Sequence, residues 1–241
     1  MSLTRPAVAR SAAVALATGA LALGLAVVPA VAGGTSITPH DPAAERIVPR
    51  AVAEVNGGAT TFAVSQEIVH RLAAQGMGFA HVTADGEVER AASDVEAADA
   101  NFTLGIRSGR MSSAYGEVTG RITYSQAGLA LVDEQSDRTV RLSGFEADLT
   151  RGALQARMDE AARVDLGRFE RPAADSGTVD TENRVLVTES EVRLTEESAE
   201  QLNEALDTEA FRAGEVLFDT RSTVTFDTDA DLEAAFGARR G

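Results

Sequence analysis

The chain has 241 residues, of which 22 are basic and 37 acidic, so its net charge is −15 near pH 7, and it contains no cysteine. An acidic chain of this kind disfavours nucleic acid and anionic membranes as partners, because both are bound by placing basic side chains against their phosphates. The missing cysteine excludes disulfides, thiolate metal sites and a cysteine nucleophile.

The first elements in the chain predict export. Arg5 and Arg10 precede the uncharged segment 12–28, and small residues follow up to Ala32 and Gly33. This is the order of regions in a secretory signal peptide, with cleavage expected between Ala32 and Gly33. The uncharged segment is shorter than the roughly 20 residues of a spanning helix. We therefore expect no membrane insertion after cleavage.

Composition divides the chain into four predicted parts. They are a signal peptide at 1–32, an extended leader at 33–58, a single β-rich domain at 59–226 and an acidic tail at 227–241. The leader holds three of the six prolines and shows little periodicity. Cleavage leaves 209 residues and a net charge of −17, since the signal peptide carries two arginines and no acid. A chain of this length buries a full core without disulfides.

Alternation of apolar and polar residues with a period of two dominates the middle of the chain. Val118, Ile122 and Tyr124 share one face, and the same alternation occupies 102–107. Short segments of this kind predict antiparallel strands with one buried face. The phase of the alternation changes at Gly144, which indicates a bulge or a tight bend.

Two segments, 62–72 and 192–202, break this rhythm and resemble each other. Each passes from a strand to Ser65 or Thr195 and then into a helix with one apolar side. Serine and threonine are favoured helix N-caps. The segments therefore predict repeated strand–helix–strand units around the strands of the middle. The predicted fold class is mainly β, an antiparallel sheet or sandwich with two short helices.

Residues 116–158 carry a pattern of glycines and leucines. A glycine-led strand starts at Gly120, a GxL-type hairpin at Gly128, a second strand carries Val140, and GxLxA follows at 152–156. This pattern resembles the core of HtaA-type domains in secreted actinobacterial proteins. The resemblance extends over most of 60–226.

The resemblance implies haem binding at the cell surface through tyrosine and histidine. This chain departs from the family at the tryptophan-containing start, near which the haem-ligating tyrosine lies. It has no tryptophan, and the corresponding start TFAVSQEIVHRL has no tyrosine. A fold can be kept while its site changes. The first prediction is therefore that the chain binds no cofactor. The alternative prediction is that it binds haem or another apolar ligand.

Three residues are candidate ligands in that alternative, in which Tyr124 acts with His81 or His70. Tyr124 shares the phase of Val118 and is interpreted as part of the wall, because buried tyrosines mostly pack their rings and satisfy one hydroxyl. His81 shares the phase of Phe79, so we expect it to face inward as a core histidine. His70 falls on the polar flank of its helix and is predicted to be solvated.

No sequence motif indicates catalysis or metal binding. Asp227, Asp229 and Asp231 begin like a calcium loop, but Leu232 and Ala238 occupy the positions of its glycine and bidentate glutamate. Serine-hydrolase elbows, phosphate loops and paired zinc histidines are absent from the sequence.

The sequence therefore predicts an exported, non-enzymatic protein that binds an envelope or extracellular partner. The alternative is a divergent binder of haem or another apolar ligand. A third interpretation is a hydrolase whose residues converge only in space.

Overall fold

Strands form most of the described part of the chain in the computed structural model, which describes residues 51–90, 100–114, 117–159, 163–172 and 178–236. The strands in these ranges are β1 (Ala53–Val64), β2 (Met77–Val82), β3 (Val88–Arg90), β4 (Asn101–Ala114), β5 (Glu117–Tyr124), β6 (Gly128–Asp133), β7 (Arg138–Asp148), β8 (Ala153–Met158), β9 (Arg163–Arg168), β10 (Thr178–Asp180), β11 (Val185–Leu194) and β12 (Val216–Phe226). The helices are α1 (Gln66–Ala73), α2 (Glu196–Leu206) and α3 (Leu232–Phe236). The predicted cleavage site at Ala32 and Gly33 lies outside the described residues.

Eight of the strands close into a ring. Their order is β7, β5, β4, β1, β12, β11, β9 and β8, and β8 pairs with β7 to complete the circuit. Every pairing is antiparallel. We call this closed sheet the cylinder. The prediction of a mainly β, antiparallel fold is confirmed, and the sheet closes on itself instead of splitting into two layers.

The strand β7 is shared between the cylinder and a side sheet. Its residues 138–142 pair with β6, and its residues 146–148 pair with β5. The neighbour changes at Gly144, whose φ is +58°, and the pairing with β8 shifts register between Ser143 and Glu146. This is the bulge that the phase change predicts. Beyond it, β6 pairs with β2 and β2 with β3, which together form the side sheet.

Both predicted strand–helix–strand units are present, as β1–α1–β2 and β11–α2–β12. Thr195 caps α2 by accepting the N–H of Ser198 at 3.1 Å, whereas the side chain of Ser65 makes no such bond to α1. An ion pair of 2.5 Å between Arg71 and Glu215 instead ties α1 to the chain entering β12. The apolar sides of both helices join the main core.

Described elements lie at both ends of the predicted domain of 59–226. β1 begins at Ala53, inside the predicted leader, because a register shift between Val55 and Gly57 interrupts the alternation that would reveal the strand. In the predicted tail, α3 buries Phe236 against Phe226 with ring centres 5.4 Å apart. Residues as far as Phe236 therefore belong to the folded domain.

Candidate binding site at an open edge of the sheet

Aromatic rings fill one half of the cylinder's interior. Phe62 of β1 stacks on Phe102 of β4 with ring centres 5.0 Å apart. Phe145 of β7 and Phe218 of β12 lie 5.5–5.8 Å from these two rings. All four side chains are buried. Contacts of this kind are typical of a tightly packed core, and we call these four residues the aromatic half.

Tyr124 lies where the aromatic half ends. Its ring meets Phe62 edge-on at 5.7 Å, and its hydroxyl accepts a hydrogen bond from Thr60 at 3.4 Å. The Thr60 hydroxyl lies 2.8 Å from that of Ser222. Burial raises the pKa of Tyr124, and hydrogen bonds with Thr60 and Ser222 offset only part of that rise. The phenol is therefore buried, as its phase predicts, and neutral near pH 7.

Beyond Tyr124 the interior changes from rings to hydroxyls. Ser190 of β11 and Thr220 of β12 lie opposite each other with their side-chain oxygens 2.9 Å apart. Thr188 and Ser222 form the next pair along the same two strands. These four side chains are half-buried, unlike the rings. We call the following set the hydroxyl cluster: Thr60, Tyr124, Thr188, Ser190, Thr220 and Ser222.

The hydroxyl cluster lines a cavity of about 40 Å³. Its opposite wall is apolar and includes Leu154 and Phe169. Its described lining residues carry no charged side chain. Since one buried water needs about 10–15 Å³, the cavity has room for about three waters. Pockets for drug-sized ligands start near 300 Å³, so this space admits only a small group.

Strand β11 has a gap in its pairing on the side away from β12. On that side β10 pairs with residues 185–187 and β9 pairs with residues 193–194. Within the described ranges, no strand pairs with residues 188–192 on this side. We call these five residues the seam. The seam supplies Thr188, Ser190 and Val192 to the lining of the cavity.

The direction of the backbone hydrogen bonds shows which groups face the open side of the seam. Even-numbered residues of β11, and Arg184 just before it, bond toward the β12 side. The bonds are Phe226 N–H to Arg184 C=O (3.0 Å), Leu194 N–H to Glu215 C=O (2.9 Å) and Thr220 Oγ1 to Ser190 C=O (2.8 Å). Successive residues of a strand point their backbone groups to opposite sides. The N–H and C=O groups of Glu189 and Glu191 therefore point away from β12, into the gap.

Carboxylates flank the seam on the outer face of the cylinder. Glu189 lies 3.7 Å from Arg221 with both side chains largely exposed, and Glu191 pairs with Arg193. Asp219 of β12 lies directly opposite Glu191 and has no ion-pair partner among the described residues. An open groove of about 470 Å³ runs over this face. Three carboxylates and two arginines therefore lie together on this outer face.

The predicted histidines lie apart from Tyr124. His70 is exposed on α1, as its place on the polar flank predicts. His81 is exposed at the end of β2, so the prediction that it faces inward is wrong. The alternation misleads there because burial of the face of Met77 and Phe79 ends before His81, while Ala80 and Val82 are buried on the second face of the side sheet.

The residues around Tyr124 do not fit haem. The cavity beside the phenol is far smaller than a porphyrin, and the hydroxyl is already bonded within the hydroxyl cluster. No histidine belongs to the described lining of that cavity. The structure therefore does not bring Tyr124 together with His81 or His70.

Metal binding also finds no support in the part of the chain that the structure describes, where no group of three or more His, Cys, Asp or Glu residues could hold an ion. In the D-x-D-x-D string, the carboxylate of Asp231 accepts the N–H of Ala234 at 2.9 Å at the start of α3. The backbone C=O of Asp227 accepts hydrogen bonds from Arg184. These aspartates anchor the end of the domain.

The hydroxyl cluster is what sequence reasoning missed. In VTES and DTRS the serines and threonines keep the inward phase of β11 and β12. Polar residues in alternation have the pattern of a solvent face when the opposite face is not known. Neither face of β11 is apolar around Ser190, and that feature was the available signal.

Among the described residues, no helix is long and apolar enough to cross a membrane.

Comparison with known proteins gives a distant likeness in structure. No family model matches the chain, and no curated protein matches it. The chain is similar to the C-terminal domain of HtaA from Corynebacterium glutamicum, with 12% identity and a TM-score of 0.49. The match covers 73% of this chain and 99% of that one. That domain carries the name of the family that residues 116–158 resemble, and at this distance the likeness bears on neither ligand nor site.

Proposed function

We propose that the chain is an exported, non-enzymatic binding protein of the cell envelope or the medium, and that it takes its ligand at the seam. One observation carries the proposal: half-buried hydroxyls line a cavity beside a strand edge that no described strand pairs, in the same interior as the packed rings. The interior of an eight-stranded closed sheet is wide enough for side chains or for one small ligand. The cavity beside the hydroxyl cluster suits a small group of a ligand.

A binding role suits these side chains better than a catalytic one. A serine or threonine nucleophile needs an adjacent base that accepts its proton. In the hydroxyl cluster, Ser190 and Thr60 have other hydroxyls as their side-chain partners. The described lining of the cavity contains no histidine, carboxylate or arginine. Such groups can donate and accept hydrogen bonds to a neutral ligand group, which is what recognition requires.

Export rests on the N-terminal pattern of basic, uncharged and small residues that ends at Ala32 and Gly33. N-terminal sequencing of protein recovered from the culture medium should therefore start at Gly33. A chain that stays with the cells and keeps residues 1–32 would contradict this part of the proposal.

Amide hydrogen exchange tests the binding site even while the ligand is unidentified. The mature protein is measured alone, with isolated cell envelopes and with concentrated medium of the source organism. We expect slower exchange at residues 188–192 in one of these mixtures, and no slowing in Ser190→Phe, whose ring fills the cavity. Ser108→Phe makes the same change at an exposed position of β4 and should behave like the wild type. Protection elsewhere, or none, would contradict the proposal.

Haem is the competing ligand and has its own test. Titration of haem into the mature protein should give no shift of the Soret band at micromolar concentration, because Tyr124 is buried, neutral and bonded. A shift that disappears in Tyr124→Phe would reinstate haem as the ligand.

A further inference from the structure

We infer that the cavity beside the hydroxyl cluster takes a neutral acetyl group of the ligand, with the carbonyl oxygen toward Tyr124 and the methyl group toward the apolar wall. This inference rests on the proposed function, because it names the ligand class of the same site. It follows from three features of the cavity: a hydroxyl proton without an acceptor, two chemically different walls and a small volume.

The hydrogen bonds of the hydroxyl cluster form a chain that ends at Tyr124. Each hydroxyl has one proton to donate. Thr60 donates its proton to Tyr124 at 3.4 Å, so Ser222 is the donor in the bond of 2.8 Å that joins it to Thr60. The proton of Tyr124 then has no acceptor among the described residues, although its side chain is buried and lines the cavity. A buried donor without an acceptor is destabilising, so this proton calls for an acceptor atom on the ligand.

A second donor faces the same cavity. Thr220 donates to the C=O of Ser190 at 2.8 Å, so Ser190 is the donor in the bond of 2.9 Å between their two hydroxyls. Thr188 lines the cavity and has no side-chain hydrogen bond among the described residues. Tyr124 and Thr188 therefore offer O–H donors to the cavity, and a carbonyl oxygen has two lone pairs to accept them.

The two walls of the cavity suit a group with oxygen on one side and a methyl on the other. Opposite the hydroxyls lie Ile122, Leu154 and Phe169, whose apolar atoms favour contact with a methyl group. The described lining holds no charged side chain, so a carboxylate or an ammonium group would lose its hydration without gaining a partner. A neutral carbonyl group with a methyl substituent satisfies both walls.

The volume of the cavity limits the group to about this size. The cavity of about 40 Å³ has room for about three waters. An acetyl group likewise consists of three heavy atoms, which are the methyl carbon, the carbonyl carbon and the oxygen. The rest of the ligand must therefore lie outside the cavity.

Acetamide provides the probe, because it presents the acetyl group alone. The amide signals of the mature protein are followed by NMR as acetamide is added to high millimolar concentration. We expect saturable shifts at residues 188–192 and at Ser222. Acetate has the same shape with a negative charge, and 2-propanol has a hydroxyl in place of the carbonyl. Each should bind at least tenfold more weakly than acetamide at pH 7.

Isosteric variants remove one donor at a time. Tyr124→Phe keeps the ring and loses the proton, so it should bind acetamide at least tenfold more weakly. Thr188→Val keeps the shape of the side chain and should weaken binding several-fold. The matched control is Thr61→Val at an exposed position of β1, which should bind like the wild type. Circular dichroism verifies that each variant is folded. The inference would be overturned by shifts that do not saturate, by equal binding of acetate or 2-propanol, or by unchanged binding in Tyr124→Phe.

Competition separates a failure of the inference from a failure of the proposed function. Acetamide should remove the protection that envelopes or medium give to residues 188–192. If that protection persists at high acetamide concentration, the site binds a ligand of another class and the inference is wrong. If neither envelopes nor medium protect these residues, the proposed function itself is wrong.

Discussion

The aromatic half and the hydroxyl cluster share one interior but differ in burial, since the rings are buried and most of the hydroxyls are half-buried. Phe62, Phe102 and Phe218 sit on strands paired along both edges. Ser190 sits on a strand whose outer edge is paired with no described strand over five residues. Rings require exclusion of water, whereas hydroxyls keep hydrogen bonds whether water enters or not. Thr60, Thr220 and Ser222 lie on these paired strands as well, so the hydroxyl cluster spans β11 and the strands beside it.

Tyr124 lies at the boundary between the aromatic half and the hydroxyl cluster. Its ring belongs to the aromatic half through Phe62, and its hydroxyl belongs to the hydroxyl cluster through Thr60. One tyrosine therefore satisfies both environments, which is the usual role of this side chain at the limit of a core.

Removal of a ring from the aromatic half should have the largest effect on stability. Phe62→Ala leaves a cavity among three other phenylalanines and Tyr124. We expect the free energy of unfolding to fall by about 3–5 kcal/mol. Ser190→Ala in the hydroxyl cluster, where water can enter, should lower the free energy of unfolding by about 1 kcal/mol or less. Chemical denaturation measures both losses. Equal losses would show that the aromatic half and the hydroxyl cluster contribute equally to stability.

Proline substitutions test the direction of the backbone in β11. In Ser190→Pro the missing N–H is one that bonds toward β12, so we expect a loss of about 3 kcal/mol or more. In Glu189→Pro the missing N–H faces the gap, where proline is tolerated on an edge strand. The second variant should unfold much closer to the wild type in urea. If both variants were equally damaged, the edge at Glu189 would be paired.

Loss of the tyrosine hydroxyl should have a smaller effect that depends on pH. Tyr124→Phe removes a buried hydrogen bond worth about 1 kcal/mol. Because burial raises the pKa of Tyr124 above its unfolded value, the contribution of this group is complete below about pH 10 and is lost as the pH rises through the folded pKa.

The wild type should therefore lose stability more steeply than Tyr124→Phe above about pH 10. Absorbance at 295 nm in a Tyr115→Phe background reports on Tyr124 alone. The tyrosinate signal should appear together with unfolding. Ionisation at an ordinary pKa in the folded protein would contradict the buried position.

Cysteine labelling compares access to the two ends of the hydroxyl cluster with little change in stability. The chain has no cysteine of its own, so each introduced thiol is unique. Ser190→Cys at the seam should react with a small thiol reagent many times faster than Thr60→Cys, because Ser190 is half-buried and Thr60 is 1% exposed. Similar rates would mean that the cavity is closed to solvent.

The sequence predicts the structural features that depend on residues close together in the chain. Alternation around Tyr124 gives its strand and its burial, the phase change gives the bulge at Gly144, and the hydroxyl at Thr195 gives the start of α2. Each of these signals lies within a few residues of the feature that it predicts.

Closure and the site depend on contacts between distant segments. Pairing of β1 with β12, and of β7 with β8 on one side and β5 on the other, cannot be read from either partner alone. The inward hydroxyls of β11 and β12 have the pattern of a solvent face until the cylinder closes around them. The prediction for His81 fails because the burial of its face of β2 ends at Phe79.

Residue-resolved amide exchange along β11 tests the central claim, that the sheet has an open edge beside its hydroxyl-lined interior. The amides of Glu189 and Glu191 should exchange fast, while those of Thr188 and Ser190 should exchange slowly because they point to β12. Alternation of fast and slow amides within one strand is the predicted result. Uniformly slow exchange from 188 to 191 would show that the edge is already paired and would contradict the account.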